Sequence, residues 1–347
     1  MCRRRGDRLH GVHVIQSPKI ALLISRCLNY TRMCLELASV RSGSLHTFDL
    51  INSNKKQSFK TKSMDKQVWF VTGASKGLGL SLVKKLLAGG YRVAATSRNV
   101  DELQNAVGVT AEGFLPLAVN LTDEESVEAA VTKTIAHFGS LDVVVNNAGY
   151  GLLGALEELS DADARLNFDV NVFGSINVIR KALPQMRKQH SGHILNIASI
   201  GGFTGAFPGF GIYCATKFAV HGFSESLAEE LRPFGIHVTI VSPGYFRTNF
   251  LGDSSLNVPV NAIEAYQNVR ESQKIHQESY NGNQPGDPDK AAALMIEVAS
   301  MPEPPVHLFL GQDAYELAEA KIRAVQKDMA SMQVSATSTG FSETLFS

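Results

Sequence analysis

Hydrophobic and polar residues follow two alternating patterns along this chain. Continuous apolar runs such as VWFVTG (68–73) and IHVTIVSPG (236–244) predict strands that are buried on both faces. Between such runs, apolar residues recur at helical spacing, as in 122–139, which has acids in its first turn and ends at Gly139. The pattern predicts seven strands, at 68–73, 91–97, 114–120, 141–149, 192–199, 236–244 and 306–311. It predicts helices at 78–90, 100–107, 122–139, 161–189, 213–235 and 313–331.

This alternation also predicts the fold class. Buried strands that alternate with helices are typical of a parallel sheet wrapped by helices, and right-handed crossovers make such a sheet doubly wound. We therefore predict an α/β fold of the Rossmann type, as a single domain over 64–332. Residues 249–286 break the alternation, so we predict that they form a lid over a substrate site. The Ser- and Thr-rich residues 333–347 are predicted to be a flexible tail.

Charge separates the first 63 residues from the rest. The whole chain has 33 basic and 33 acidic side chains, but residues 1–63 hold 12 Lys or Arg and only 3 Asp or Glu. This segment is rich in Arg and Ser, as mitochondrial transit peptides are. A disordered extension is the simpler interpretation, because Met64 opens a natural beginning for the fold. We expect a cytoplasmic protein, or a mitochondrial one if residues 1–63 act as a transit peptide.

Composition argues against several classes of protein. The mildly acidic body gives no sign of nucleic-acid binding. Three of the four cysteines lie in residues 1–63 and only Cys214 lies in the body, which argues against a disulfide scaffold. No run reaches the roughly 18 apolar residues that a membrane helix needs, because Arg26 ends the stretch IALLIS (20–25). No integral membrane segment and no metal site are predicted.

A glycine-rich stretch, TGASKGLG (72–79), lies between the first strand and the first helix. Gly73, Gly77 and Gly79 permit a tight turn and a close approach of the backbone to a ligand. The helix that follows directs its first N–H groups at this turn, which suits a pyrophosphate. In this position within a doubly wound fold, the motif predicts a nucleotide site.

The end of the second strand bears on which nucleotide is bound. An NAD-selective site would carry an acid about 20 residues after the glycines to hold the ribose 2′-hydroxyl, and ATSRN (95–99) has none. Arg98 and Lys76 could instead pair with a 2′-phosphate, although both could also be solvated surface charges. We therefore expect NADP(H), with NAD(H) less favoured.

Tyr213 and Lys217 lie four residues apart in YCATK (213–217). On a helix such residues share one face, with Cβ atoms about 6 Å apart. An ammonium group near a phenol favours the phenolate, so the tyrosine could transfer protons near neutral pH. The spacing alone is common on helices and also describes a partly exposed pair.

Four motifs in order resemble those of the short-chain dehydrogenase/reductase family. TGASKGLG resembles its cofactor loop, NNAG (146–149) its fourth-strand motif, YCATK its Tyr-x-x-x-Lys centre, and SPGYFRT (242–248) its Pro-Gly motif after the sixth strand. The resemblance covers residues 66 to 310, and the pattern looks most like the branch with retinol-, steroid- and other carbonyl-handling members. It implies an NADP(H)-dependent oxidoreductase that interconverts an alcohol with its ketone or aldehyde.

The resemblance implies a role for each matching position. Tyr213 would be the general acid/base, and Lys217 would bind the nicotinamide ribose and lower the pKa of that tyrosine. Ser199 would hydrogen-bond the substrate carbonyl, Asn171 would hold a water of the proton relay, and Thr248 would reach the nicotinamide carboxamide. The full set of implied cofactor residues is Gly73, Ser75, Lys76, Gly77, Leu78, Gly79, Arg98, Asn120, Leu121, Asn147, Ala148, Gly149, Tyr213, Lys217, Pro243, Gly244 and Thr248.

Three positions depart from the family pattern. Ser199 and Tyr213 are 14 residues apart, one more than is common, so we expect the connecting loop to bulge at FPGFG (207–211). Asn120 stands where an Asp is common, which weakens its assignment to the adenine. Ala198 stands where a Ser is frequent, and this should not affect catalysis.

The expected substrate pocket is apolar or aromatic, which suits a lipophilic ketone, aldehyde or alcohol. Its expected lining is Tyr150, Leu152, Leu153, Phe203, Phe207, Phe210, Tyr245, Phe246 and Phe250, although core or dimer contacts would explain the same residues. Two other functions remain open: a cofactor-binding sensor without turnover, and a non-redox epimerase or dehydratase. The resemblance also implies a homodimer or homotetramer.

Overall fold

Strands and helices alternate through the structure as the apolar pattern predicts. The computed structural model describes residues 66–252, 255–258 and 261–341. The expected extension at 1–63, and residues 342–347 of the expected tail, lie outside the described residues. In chain order the elements are β1 (Val68–Val71), α1 (Gly77–Ala88), β2 (Arg92–Ser97), α2 (Val100–Val107), β3 (Phe114–Ala118), α3 (Glu124–Phe138), β4 (Val143–Asn146), β5 (Gly151–Leu152), α4 (Asp161–Phe168), α5 (Gly174–Gln189), β6 (Gly192–Ile197), α6 (Gly211–Leu231), β7 (Ile236–Pro243), β8 (Leu256–Asn257), α7 (Gln267–Lys274), α8 (Pro288–Ala299), β9 (His307–Leu310) and α9 (Gln312–Thr337).

The main sheet is parallel throughout and contains the seven predicted strands. Its order is β3-β2-β1-β4-β6-β7-β9. Val71 of β1 pairs with Ala95 of β2 on one side and with Val145 of β4 on the other. The chain therefore winds outward in both directions from β1, and the direction reverses between β1 and β4. Ligands of open α/β sheets bind at such a switch point, beyond the carboxyl ends of the strands.

Two apolar cores cover opposite faces of this sheet. Trp69 and Val71 of β1 belong to the core under α1, α2 and α8, whereas Phe70 belongs to the core under α3, α5 and α6. Successive side chains of a strand point to opposite faces, so a strand with both faces covered needs apolar residues at every position. This requirement explains why the strands appear in the sequence as continuous apolar runs.

The structure corrects several details of the predicted elements. The predicted helix 161–189 consists of α4 and α5 joined by a π-helical turn, Asp169–Phe173. Helix α8 and the two-stranded sheet of β5 and β8 were not predicted. Helix α9 ends at Thr337, so the first five residues of the expected flexible tail are helical. Among the described residues, no helix is long and apolar enough to cross a membrane.

The predicted lid segment, 249–286, contains β8, α7 and a second π-helical turn, Ile275–Tyr280. Its strand β8 pairs with β5 of the main body. The Glu158 side chain, which is fully buried, also connects the lid to the body. It accepts hydrogen bonds from the backbone N–H of Ile263 at 2.7 Å and from Arg270 Nη2 at 2.6 Å. The lid is therefore attached to the body by a defined set of contacts.

Candidate active site

One cavity of about 520 Å³ lies at the switch point between β1 and β4. The glycine loop after β1, the end of β2 and the NNAG segment after β4 form one end of it. The first turn of α6, the loop after β7 and the lid form the other. We call these the cofactor end and the substrate end. The sheet topology thus brings to one place the motifs that the sequence separates by more than 100 residues.

The cofactor end is shaped by glycines that no other residue could replace. Gly73 has a φ of 63°, and a Cβ there would lie 2.7 Å from the Cα of Ala148. A Cβ on Gly79 would collide with the side-chain amide of Asn147 and with the carbonyl oxygen of Gly73. Gly79 does not line the cavity and instead allows the close packing behind it. The glycine loop and the NNAG segment can touch only because these side chains are absent.

Asn147 and Thr72 connect those two segments by hydrogen bonds. Asn147 Nδ2 donates to the carbonyl oxygens of Thr72 and Gly73, each at 2.9 Å. The hydroxyl oxygen of Thr72 accepts from the backbone N–H groups of Asn147 at 3.0 Å and Ala148 at 3.1 Å. The Asn147 amide is therefore a clamp on the loop, while the same residue also lines the cavity.

The end of β2 brings charged side chains to the cavity. Lys76, Arg98 and Glu102 all line it. Burial lowers the pKa of Lys76 below its usual value, Glu102 opposes this shift, and Arg98 adds to it. Glu102 is a carboxylate that sequence reasoning did not include, and its negative charge would weaken the attraction of this region for a phosphate. Ser97 accepts a hydrogen bond from the backbone of Asn99, the N-cap of α2.

Most other expected cofactor residues also line this cavity. Asn120 lines it, but its side-chain oxygen already accepts from the backbone and the hydroxyl of Thr122. Thr248 lies opposite the glycine loop, with its Cβ 3.6 Å from where a Cβ on Gly77 would be. The remaining expected residues that line the cavity are Ser75, Gly77, Leu78, Leu121, Ala148, Gly149, Pro243 and Gly244.

Tyr213 and Lys217 lie in the first two turns of α6 and line the cavity together. The Lys217 Nζ atom is 5.9 Å from the centre of the Tyr213 ring and donates to the Ile197 carbonyl oxygen at 2.8 Å. Both side chains are buried, so they do not form the partly exposed pair that the spacing alone would permit. The backbone oxygen of β6 fixes the ammonium group beside the phenol.

Burial is the largest influence on the pKa of Tyr213. It raises the pKa of Tyr213, and the hydrogen bond with Ser199 works in the opposite direction. The expectation that Lys217 lowers the pKa of Tyr213 stays a prediction. Burial also lowers the pKa of Lys217 to about 8. A phenol that keeps its proton at neutral pH can act as an acid, which is the role required for carbonyl reduction.

Ser199 follows β6 and is held close to Tyr213. Its hydroxyl oxygen accepts from the backbone N–H of Gly201 at 3.0 Å and lines the cavity. The segment between Ser199 and Tyr213 contains a turn in which the Phe210 N–H bonds the Phe207 carbonyl oxygen at 3.1 Å. Gly209 has a φ of 85° in that turn, which favours glycine.

His221 was not identified from the sequence. It lies one turn after Lys217, and its Nε2 is 3.0 Å from Ser242 Oγ. Burial lowers its pKa to about 4, so the ring is neutral at physiological pH. Ligand atoms of Glu225 and His307 lie within 4.8 Å of those of His221, whose Nε2 is already hydrogen-bonded to Ser242.

Asn171 lies in the π-helical turn and does not face the cavity directly. Its side-chain oxygen accepts from the Tyr150 N–H at 3.0 Å, and its Nδ2 donates to the Tyr150 carbonyl oxygen at 3.0 Å and to Thr216 Oγ1 at 3.1 Å. A Cβ on Gly149 would lie 3.0 Å from that same Asn171 oxygen. π-helical turns are frequently found at functional sites because they redirect one side chain out of the helical pattern.

The substrate end is largely aromatic. Leu152, Leu153 and Phe203 do not line it: Leu153 lies in the core, and Phe203 packs on Phe309 with ring centres 5.2 Å apart. The other expected side chains do line it, and they are Tyr150, Phe207, Phe210, Tyr245, Phe246 and Phe250. Six of the nine side chains expected from the sequence therefore line the cavity, and three do not.

Three further residues line the cavity, although no pattern in the sequence predicted that they belong to the site. Cys214 is buried, and burial raises the pKa of its thiol to about 11, so it is a weak nucleophile. His276 hydrogen-bonds Tyr245. Gln284 is only 1% exposed and donates to the Thr248 carbonyl oxygen at 3.3 Å, while its Oε1 has no hydrogen-bond partner among the described residues. His276 and Gln284 lie in the lid, whose irregular sequence conceals them.

The cofactor end fits a dinucleotide. The space beside Gly73 and the left-handed backbone of Gly73 and Gly77 form a cradle that a side chain would fill. The N-terminus of α1 is directed at this cradle and has no acidic residue in its first turn. Partial positive charge at a helix N-terminus binds pyrophosphate, as in other doubly wound folds.

Comparison with known sequences agrees with this geometry. The family model of the short chain dehydrogenases matches residues 67–258. The oxidoreductase BOA17 of Botryotinia fuckeliana is 38% identical over 253 residues, which cover 73% of this chain and 91% of that protein. A 3-ketodihydrosphingosine reductase of Bacteroides thetaiotaomicron is 36% identical over 250 residues, covering 72% of this chain and 89% of that protein.

Solved structures agree as well. A short-chain dehydrogenase from Streptomyces avermitilis has a TM-score of 0.73 and 35% identity, covering 79% of this chain and 100% of that one. ElxO with NADP bound has a TM-score of 0.59 and 28% identity over 71% of this chain and 97% of that one. A 3-ketoacyl-(acyl-carrier-protein) reductase of Brucella melitensis complexed with NADH has a TM-score of 0.61 and 26% identity, covering 71% of this chain and 97% of that one. The chain therefore belongs to the short-chain dehydrogenase/reductase family of oxidoreductases.

Proposed function

We propose that the protein reduces a lipophilic ketone or aldehyde to the alcohol with NADPH, and that Tyr213 donates the proton. The observation that carries this proposal is the position of Ser199, Tyr213 and Lys217 on one cavity wall, directly beside an aromatic surface. The same site would run in the opposite direction when alcohol and NADP+ are in excess, since both directions share one transition state.

The side chains divide the reaction between them. When bound, the cofactor supplies the hydride that adds to the carbonyl carbon. Ser199 and Tyr213 donate hydrogen bonds to the carbonyl oxygen as its negative charge grows, and such donors lower barriers by roughly 3 kcal/mol each. Tyr213 then transfers its proton to that oxygen. Lys217 holds a positive charge beside the phenol and is positioned to bind the nicotinamide ribose.

A preference for NADPH is supported by the end of β2. Arg98 and Lys76 line the cavity there, and no acid follows β2 where an NAD-selective site would carry one to bond a 2′-hydroxyl. Glu102 works against this preference, so the expected selectivity is moderate. Gln284 Oε1, buried beside Thr248, is positioned to accept a hydrogen bond from the carboxamide of the nicotinamide.

A lipophilic substrate is supported by the aromatic lining and by a relative. Among the described residues, the substrate end presents six aromatic side chains and no carboxylate, which disfavours small charged keto acids. The matched reductase of Bacteroides thetaiotaomicron is named for a 3-ketodihydrosphingosine. We also place the protein in the branch that handles retinol, steroids and other carbonyl compounds.

We further propose a homodimer or homotetramer. Leu166 and Phe173 are half-exposed on the α4–α5 unit, and Phe218 is exposed on α6. Large apolar side chains on neighbouring long helices are typical of a subunit interface. Sedimentation of a single species at the monomer mass, at micromolar concentration, would contradict this.

The deciding experiment is NADPH consumption by the purified full-length chain with a panel of lipophilic aldehydes and ketones. Tyr213→Phe removes the acid and should lower kcat about 1,000-fold or more, because general acid catalysis contributes about 10²–10⁴. Tyr315→Phe removes a phenol from an exposed side chain of α9 and should keep wild-type activity. The NADPH affinity of both variants should equal that of the wild type.

Two results would contradict the proposal. If the protein binds NADPH but turns over no carbonyl compound, the sensor and epimerase functions become the better explanations. If small charged keto acids react faster than every lipophilic carbonyl, the proposed substrate class is wrong.

A further inference from the structure

A polar pair that the proposed reaction does not use joins the lid to the loop after β7. His276 lies in the π-helical turn Ile275–Tyr280 and is 7% exposed. Its Nδ1 is 2.7 Å from the backbone oxygen of Ser272, and its Nε2 is 2.9 Å from the phenol oxygen of Tyr245. Both His276 and Tyr245 line the cavity.

The partners fix the direction of both hydrogen bonds. A backbone carbonyl can only accept, so Nδ1 of His276 carries a proton. Burial lowers the pKa of His276, so the ring is neutral at physiological pH and Nε2 is an acceptor. Tyr245 therefore donates its own proton to Nε2. The remaining lone pair of the phenol oxygen can only accept a hydrogen bond, so the group that it recognises must be a donor.

The pair is held rigidly and lies close to the reacting groups. Tyr280 stacks on Tyr245 with ring centres 4.6 Å apart. The Phe210 ring lies 4.8 Å from that of His276 and 6.1 Å from that of Tyr213. Tyr245 is near enough to Tyr213 to contribute to the raised pKa of Tyr213. Tyr245 and Tyr213 thus line the same cavity, and the binding group, already held in place, needs little reorganisation when a ligand binds.

The surroundings favour a neutral donor over a charged one. Among the described residues, the single carboxylate that lines the cavity is Glu102, at the cofactor end. Asp313 lies behind the substrate end and is committed to the backbone N–H of Tyr245 at 2.6 Å. An ammonium group beside Tyr245 would lose its hydration without gaining a counter-charge, whereas a hydroxyl needs only the one acceptor.

We propose that Tyr245, oriented by His276, accepts a hydrogen bond from a hydroxyl group close to the substrate carbonyl. This proposal rests on the proposed function and narrows it. The preferred substrates are lipophilic hydroxy-ketones or hydroxy-aldehydes rather than simple ketones or aldehydes. Tyr245 is then a specificity-determining residue, and His276 is a positioning residue that acts through it.

The test compares 5-hydroxyoctan-4-one with 5-methoxyoctan-4-one, with octan-4-one as the parent. The methyl ether keeps the electron-withdrawing oxygen but has no proton to donate. We expect the wild type to prefer the hydroxy-ketone over the ether by about fivefold in kcat/KM, the usual worth of one neutral hydrogen bond. Tyr245→Phe should bring this ratio to about one. Tyr280→Phe, a matched loss of a phenol that does not line the cavity, should leave it unchanged.

A second variant addresses the histidine. His276→Leu releases the phenol proton of Tyr245, which can then donate to the ether oxygen. In this variant alone, kcat/KM for the ether should rise relative to kcat/KM for octan-4-one. A structural defect would not produce such a rise. The melting temperature and the NADPH affinity of each variant show whether it is folded.

Binding provides a readout that needs no turnover. Calorimetry on the NADP+-bound chain compares octane-4,5-diol with 5-methoxyoctan-4-ol. If octan-4-one is reduced but the hydroxy-ketone and the ether react equally, the hydroxyl site is wrong and the proposed function stands. The opposite outcome is that no ketone is reduced, that the wild type binds the diol more tightly than the methoxy alcohol, and that Tyr245→Phe abolishes this preference. In that case the hydroxyl site stands and the proposed reaction is wrong. If neither readout shows a preference, the hydroxyl site is overturned.

Discussion

The two ends of the cavity are built from different parts of the chain. The cofactor end consists mainly of backbone, with glycines at Gly73 and Gly77 and a clamp from Asn147. The substrate end consists of large side chains on α6, the loop after β7 and the lid. A backbone cradle tolerates almost no change, because any Cβ occupies the ligand's space or distorts the turn. An aromatic wall can be altered one side chain at a time, so it is the end that can change substrate without losing the fold.

The largest expected effect comes from breaking the cofactor end with Gly73→Ala. The new Cβ would lie 2.7 Å from the Cα of Ala148, and the left-handed backbone costs a non-glycine residue roughly 1–2 kcal/mol. We expect NADPH affinity, measured by fluorescence titration, to fall about 100-fold or more, in line with strain of this size plus a backbone collision.

Gly139→Ala is the matched control for that variant. Gly139 has a φ of 82° with no atom within 4 Å of its Cβ position, and it ends α3 away from the cavity. It should lower the melting temperature through backbone strain and leave NADPH affinity unchanged. If both variants bind NADPH equally well, the cradle is not the cofactor site.

The cofactor end can also be changed in selectivity. Ser97→Asp with Arg98→Ala supplies an acceptor for a 2′-hydroxyl and removes a partner of a 2′-phosphate. The ratio of kcat/KM for NADPH to that for NADH should fall about 30-fold, since hydrogen bonds to charged groups contribute about 1.5–3 kcal/mol. An unchanged ratio would mean that Arg98 is only a solvated surface charge.

A smaller effect is expected from loosening the substrate end with Glu158→Ala. This change leaves Arg270 and the Ile263 N–H without their partner, so the lid should open more often. KM for a lipophilic ketone should rise about tenfold, since the change leaves the partly buried Arg270 of the lid without its charged partner, at a cost of about 1–3 kcal/mol. NADPH affinity should change less than twofold, within ordinary surface-mutation scatter.

Glu157→Ala is the control for the lid. Glu157 is exposed and accepts one hydrogen bond, from the Tyr266 hydroxyl at 2.7 Å. It should leave KM near the wild-type value. Equal effects on KM and on NADPH affinity in Glu158→Ala would instead indicate that the two ends are not independent.

The smallest effect is a pH dependence of NADPH affinity. It comes from Lys217, which lies beside Tyr213 and is expected to bind the cofactor. Burial lowers its pKa to about 8, below its value in an unfolded chain. Above that pH the folded protein has lost this proton while the unfolded chain still holds it. Stability of the free chain should therefore rise with pH between 8 and about 10.4, whereas NADPH affinity should fall about threefold as the ammonium is lost. Lys217→Met should show neither trend, and an identical pH profile in wild type and variant would exclude Lys217 as the titrating group.

Local patterns in the sequence determined the seven strands, most helices and the nucleotide loop. A buried strand needs apolar residues on both faces, and a turn such as the one at Gly73 needs a glycine, so these requirements are written into consecutive positions. The resemblance of four short motifs added Ser199, Tyr213 and Lys217 as a group, and the fold places all three on one cavity.

Only the tertiary structure decided which side chains meet there. Phe203 and Phe207 look alike in the sequence, yet Phe203 packs on Phe309 while Phe207 lines the cavity. His276 carries no local signal, because its partner Tyr245 is 31 residues away and meets it through a π-helical turn. The pKa of Tyr213 also depends on burial by distant segments, which raises it. Periodicity records what each segment requires of its neighbours, whereas a site depends on distances between segments, which are set only when the chain is packed.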